Sequence, residues 1–258
     1  MAGSSTTGGT GTGGTSATGG TTAKGGTTST GGTTAKGGTT STGGTTAKGG
    51  TTSTGGTTAK GGTTSTGKSG DVLLSDDFED HDATDWYAGD MNGTRAVVQD
   101  DSYAYVMTTT EKAVSVGGSI DWVDQRVEAK IKFVEAANSP VIYLMARWAA
   151  EKSYLVIEVR PGTTAKPQGD MKMRQTFNGS TQDLCRFKPT SLLPGTWYKI
   201  GLSVSGGLGS TATLLFDGQP VTADAPCALK LDGPTNGGVA LGVQDGSAAF
   251  DDIVVTVP

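Results

Sequence analysis

From Asp71 onward the chain breaks into short apolar-rich segments separated by turn residues, and within the segments the pattern repeats every two positions. Gln125–Val134 places Val127, Ala129, Ile131 and Phe133 on one side and Arg126, Glu128, Lys130 and Lys132 on the other. That is the signature of an antiparallel strand with one dry and one wet face. Val141–Trp148 and Tyr154–Arg160 are more uniformly apolar and are predicted to be central strands, joined by the hairpin-length loop 149–153. On the first of these, alternation assigns Tyr143, Met145 and Arg147 to one face and Ile142, Leu144, Ala146 and Trp148 to the other. Met171–Phe177 ends at Asn178-Gly179, a hairpin signal. Thr196–Val204 and Ala212–Phe216 flank Gly206-Gly207, Asp217-Gly218 makes the next turn, and Gly238–Val243 and Phe250–Val257 are predicted as two closing strands. No amphipathic helix longer than a turn or two is visible. Roughly a dozen strands with regular turns predict an all-β, antiparallel two-sheet β-sandwich over residues 71–258, its first and last strands side by side.

Residues 1–70 have no such pattern. Gly, Thr, Ser and Ala dominate, and Gly-Gly-Thr-Thr-Ala-Lys-Gly-Gly-Thr-Thr-Ser-Thr begins at Gly19, Gly31, Gly43 and Gly55, so lysine recurs every twelve residues. A solenoid repeat must supply apolar side chains to stack, and these supply none. The segment cannot bury enough surface to offset its conformational entropy, so a disordered linker is predicted, its ends about 45–50 Å apart as a flexible coil. Threonine also offers hydroxyls for O-linked sugar. No leader is visible at Met1-Ala2-Gly3-Ser4, and no apolar run is long enough for a helical membrane span. A Gly/Thr tail ahead of a β-rich domain is nevertheless expected of a secreted or cell-surface protein, with a leader or another domain upstream.

Charge separates the two parts further. All 25 acidic residues lie beyond residue 70, whereas five of the 20 Lys and Arg lie within the tail, leaving 15 cations against 25 acids in the folded part. An acidic domain without a basic cluster argues against nucleic acid and anionic membranes as partners. Cys185 and Cys227 fit no metal motif, and the single histidine, His81, gives them no neighbour. A disulfide, contributing about 4 kcal/mol on the chain-entropy model, is preferred over two buried thiols.

Taken in order, Leu73-Leu74-Ser75-Asp76-Asp77-Phe78-Glu79-Asp80 with Trp86, Arg126–Ile131, Met145-Ala146-Arg147-Trp148 with Ser153-Tyr154, Pro194–Tyr198, Phe216-Asp217-Gly218 and Phe250–Val255 resemble the concanavalin A-like, laminin-G-like jelly-roll domains of bacterial exported proteins, often appended to pectate lyases. The resemblance spans essentially all of residues 71–258. It implies a jelly roll of two stacked antiparallel sheets, one concave, and a non-catalytic role in binding polysaccharide.

Two groups of residues are candidates for chemistry. Asp77 and Glu79 share a face if their segment is a strand, and Asp251 or Asp252 would approach from the closing strand; hard oxygen ligands of this kind suit a structural calcium. Related jelly rolls are known for such an ion at the joined chain ends. The alternative is a set of solvated acids guarding a sheet edge. For a ligand, Tyr143 and Tyr154 offer ring faces for sugar, and Arg147, Lys172 and Arg174 offer charge, the arginines being suited to clamp uronate carboxylates of a pectin-like chain. Buried aromatics outnumber ligand platforms, so core packing is the competing reading for each ring. The Glu-x-Asp-x-Glu run of jelly-roll glucanases is missing, and the shortage of histidine disfavours Ser-His-Asp or His-Tyr-Arg catalysis. The expectation is a monomeric module that holds polysaccharide without cutting it, tethered by the tail to a catalytic domain or cell surface. A lyase or hydrolase, or a structural or adhesive protein, are the alternatives.

Overall fold

The computed structural model describes residues 67–258 apart from Met91, residues 135–139, Thr190 and Leu231. The disordered-tail expectation therefore lies outside the described residues, except for residues 67–70. There the Lys68 N–H donates to Asp71 Oδ2 (2.7 Å) and the Gly70 N–H to the Val257 carbonyl (2.8 Å), so hydrogen bonding to the chain end begins just ahead of Asp71.

Thirteen strands are found among the described residues. They are β1 (Val72–Asp76), β2 (Tyr87–Ala88), β3 (Thr94–Asp100), β4 (Ser102–Gly117), β5 (Gln125–Phe133), β6 (Val141–Ala150) and β7 (Ser153–Arg160), followed by β8 (Asp170–Phe177), β9 (Ser180–Phe187), β10 (Tyr198–Val204), β11 (Ala212–Phe216), β12 (Gln219–Pro220) and β13 (Gly238–Thr256). Every pairing is antiparallel, in the order β9-β8-β7-β6-β13-β5-β10-β11-β12, with β1 and β4 on β13 and with β2 and β3 on β4. The ladder curls into two layers because β13 belongs to both: Gly238–Gln244 pairs with β6 and Ala248–Thr256 with β5.

Between the layers, Val127, Ile131 and Phe133 of β5 and Ile200 and Leu202 of β10 meet Ile142 and Leu144 of β6 and Leu155 and Ile157 of β7 in one core. The alternation predicted for β5 is realised throughout its length. In β6 both faces are dry, which is why its sequence shows no polar stripe. First and last strands pair as expected, with Val255 opposite Leu74 and Ile253 opposite Asp76. Cys185 at the inner side of β9 is bonded to Cys227, their Cα atoms 5.0 Å apart.

Two features differ from the sequence reading. Asp245-Gly246-Ser247 does not divide two closing strands; β13 runs through it, a bulge against β4 absorbing the left-handed backbone of Asp245 (φ 56°). And β4, sixteen residues long, was not anticipated: its polar centre, Thr108-Thr109-Thr110-Glu111-Lys112, interrupts the alternation where that same bulge offsets it from β13.

Candidate functional site

Strand register sets out the outward face of the layer β4-β13-β6-β7-β8-β9 as rows of side chains. One row runs Val114, Gly242, Tyr143, Glu158, Lys172, Arg186. The next runs Val116, Ala240, Met145, Val156, Arg174, Asp183. A shorter row, Lys112, Gln244, Val141, lies on the other side of the first. Gly242 is small for a reason: a Cβ there would stand 3.1 Å from the Met145 methyl and 3.3 Å from the Tyr143 Cβ.

The face divides into two halves. Toward β4, β13 and β6 it is apolar and forms a second hydrophobic cluster, separate from the main core, containing Val114, Val116, Tyr143, Met145, Trp148 and Tyr154. Trp148 and Tyr154 stack with ring centroids 5.0 Å apart and planes at 15°. The Tyr143 hydroxyl donates to Gln244 Oε1 (2.7 Å). The Lys112 ammonium lies over both tyrosines, 4.9 Å from the Tyr143 centroid and 5.3 Å from that of Tyr154.

Toward β7, β8 and β9 the face is ionic. Glu158, only 3% exposed, accepts from Arg160 (Nη2, 2.9 Å) and Arg174 (Nη1, 2.8 Å). Arg174 also donates to Asp183 (2.7 Å), Lys172 stands 3.8 Å from Asp183, and Arg186 pairs with Asp170 at 3.2 Å. Burial pushes the Glu158 carboxyl up, but hydrogen bonds and charge from Arg160 and Arg174 together outweigh it and hold the group below the usual glutamate value. Burial, and then the Glu158 charge, push the Tyr143 phenol up to about 12. Tyr143 therefore stays protonated and serves as a hydrogen-bond donor.

Four of the five expected ligand residues, Tyr143, Tyr154, Lys172 and Arg174, come together on this face. Arg147 does not. It takes a left-handed backbone (φ 52°) in a bulge on β6, where Ala146 pairs with Val239 but Trp148 pairs with Gly238. The extra residue reverses the alternation, so Trp148 joins Tyr143 and Met145 while Arg147 drops out of their face. Gly237 makes the bulge possible, since a Cβ there would lie 2.5 Å from the backbone carbons of Arg147 and Trp148. The Arg147 guanidinium is fully buried and donates to the carbonyls of Val123 (2.9 Å), Pro234 (3.3 Å) and Gly206 (2.6 Å), fastening three loops together. It is not available to clamp a uronate. Lys112 and Gln244, which touch the tyrosines of this face, are the candidates that the sequence reading missed; the alternation of Ala113-Val114-Ser115-Val116 was the available signal for the strand that carries Lys112.

The acids proposed for calcium lie at the seam of the chain ends. The strand stops at Asp76, and Phe78 turns through a φ of 56°, so Asp77 and Glu79 do not alternate along a strand. Asp77 accepts the Glu79 N–H (3.3 Å), and Glu79 accepts the Tyr103 N–H (2.9 Å). Asp251 accepts the Ser102 hydroxyl (3.2 Å), and Asp252 pairs with Lys130 (2.7 Å). Each carboxylate is thus engaged, and among the described residues no three Asp, Glu, His or Cys side chains gather as metal ligands. Two acids of the seam are buried, Asp251 and Asp76; Asp76 accepts from the Phe78 N–H (2.9 Å) and the Trp86 indole (2.8 Å), and burial pushes its pKa up to about 6 against these hydrogen bonds.

No family model and no curated protein matches the sequence. Solved structures do match the fold. The carbohydrate binding module CBM66 from Bacillus subtilis superposes with a TM-score of 0.51 at 16% identity, over 67% of this chain and 95% of that one. A GH43 protein, BlXynB from Bacillus licheniformis, gives 0.53 at 11% identity over 71% of this chain and 39% of that one. A Bacillus subtilis protein of unknown function with a galectin-like fold gives 0.50 at 12% identity, over 74% and 97%. From its strand order, its two layers and these likenesses, the folded part of the chain is a concanavalin A-like jelly-roll β-sandwich.

Proposed function

We propose that this domain is a non-catalytic carbohydrate-binding module of an exported polysaccharide-degrading system, with pectin-like chains among its targets. The observation that carries the reading is the outward face on which an aromatic, apolar floor meets an ionic rim within one register of rows. Sugars offer apolar ring faces edged with hydroxyls, and such a face answers both. The shared fold with a carbohydrate-binding module supports the reading. So does the state of the acids. Glu158 is held ionised between two arginines, so it is not poised as the protonated acid that glycoside hydrolysis needs. The Gly/Thr tail would tether the module near a catalytic partner or the cell surface and raise its effective concentration on the polymer. The test is a panel of polysaccharides in affinity gels alongside an assay for released reducing ends and unsaturated products. Retardation without release is expected; release by the purified chain, or no retardation by any polymer, overturns the reading.

A further inference from the structure

Five cations lie on or beside these rows, and four of them have carboxylate partners within the protein: Arg160 and Arg174 on Glu158, Lys172 on Asp183, and Arg186 on Asp170. Lys112 is the exception among the described residues of this face. Its ammonium meets only π-faces and the Tyr154 hydroxyl, at 3.4 Å. A half-buried ammonium held over two phenol rings has given up part of its hydration without gaining an anion, and an incoming carboxylate would complete its shell. The same side chain lies on the ring faces where a sugar would stack, since Tyr143 and Tyr154 are only 8% and 9% exposed. One swing of its flexible stem would therefore pair the ammonium with an acid and uncover the rings together.

The surroundings fit an extended ligand. Just past Lys112 the bulge between β4 and β13 opens a cavity of about 410 Å³, lined by Thr94, Thr108, Thr109 and Ser247 and edged by Asn92 and Glu111, with the Thr108 and Ser247 hydroxyls bonded to each other (2.7 Å). Asn92 ties this cavity to Lys112, its Nδ2 donating to the Lys112 carbonyl at 3.1 Å. Gln244, opposite Lys112 in register, already receives the Tyr143 hydroxyl.

We propose that Lys112 determines specificity at this face: the ligand is a carboxylate-bearing polysaccharide, read by the Lys112 ammonium, with one sugar ring against Tyr143 and Tyr154 and a neighbouring unit in the threonine-lined cavity. The inference rests on the glycan-binding reading of the same face and moves the recognition of acid from the arginines to a lysine on β4. The experiment uses the full chain, with polygalacturonate, its fully methyl-esterified form and a neutral β-1,4-galactan as probes, by calorimetry at 50 and 500 mM NaCl. The acidic polymer should bind at least about tenfold tighter than the ester at low salt, with most of that preference lost at high salt. K112Q should erase the preference and K112R should retain it, both with unchanged thermal unfolding. Equal binding of acidic and neutral polymers by the wild-type chain, or a preference untouched by K112Q, overturns the inference while the glycan reading stands. Binding of none of the three probes removes this acid-reading role, and the wider polysaccharide panel then decides the glycan reading separately.

Discussion

Two carboxylates are buried to nearly the same extent in different parts of the fold, Glu158 on the outward face of β7 and Asp76 at the seam of the chain ends, 3% and 5% exposed. Their acidities move in opposite directions. Asp76 is met only by neutral N–H donors, and burial prevails, raising it to about 6; Glu158 is met by two guanidinium groups, and they prevail. Burial by itself therefore says little about whether a carboxylate is charged. The partners decide, and they differ because one region is a closing seam and the other a cross-strand ion network.

The most direct way to break the contrast is to remove Glu158. E158A leaves Arg160 and Arg174 facing each other without their shared anion, and a loss of about 3 kcal/mol in urea unfolding is expected. E158Q should recover part of it by keeping the side-chain shape. If E158A unfolds at the wild-type midpoint, the network contributes nothing to stability and the comparison fails at its stronger end.

At the seam, W86F deletes the indole donor to Asp76. A destabilisation of about 2 kcal/mol is expected, from lost packing and the weakened hydrogen bonding of a buried acid. The same variant should shift the Asp76 titration, followed by carboxyl NMR, upward from about 6. An unchanged midpoint would mean that the indole does not support the ionised form.

The dependence of melting temperature on pH sharpens the contrast further. Asp76 ionises near 3.8 in the unfolded chain and near 6 in the fold, so its favourable contribution is complete below 3.8 and lost as pH rises through 6. Glu158 is displaced the other way, so its contribution is present above 4.5 and lost as pH falls through its lower folded value. Melting temperature should thus climb on acidification from pH 7 to about 5 and fall again below about 4, and D76N should flatten the climb. A monotonic fall from pH 7 downward in the wild-type chain would contradict the assignment for Asp76.

The smallest effect is expected from chelation. With Asp77, Glu79, Asp251 and Asp252 each holding a protein partner, EDTA should move the melting temperature by less than about 2 °C. A drop of several degrees, reversed by calcium, would establish a structural ion at the seam.

Where the sequence reading succeeded, the governing physics was local. Alternation in Gln125–Phe133 fixes which side chains face the core within one strand, and the positions of the turns at Asn178-Gly179 and Asp217-Gly218 follow from residues that tolerate a positive φ. The pairing of the first and last strands was also visible, because both ends carried apolar residues that a two-layer sandwich must cover. That Tyr143, Tyr154, Lys172 and Arg174 share one face was legible for the same reason: each lies on a strand whose parity is unbroken up to that point.

The remainder was decided by contacts between segments far apart in the chain. Arg147 left the face of Tyr143 and Met145 because Gly237, ninety positions later, lets the backbone of β6 bulge, and one inserted residue reverses every side chain beyond it. Lys112 reached the tyrosines only through the register of β4 against β13, and Asp76 became a buried acid only once the Phe78 N–H and the Trp86 indole had engaged it. Composition and periodicity determined the layers and their inner faces, since burial of apolar surface is encoded strand by strand. Which charges meet, and which one is left without a counterion, was settled by tertiary structure, because a bulge or a register shift displaces a side chain by more than the reach of an ion pair.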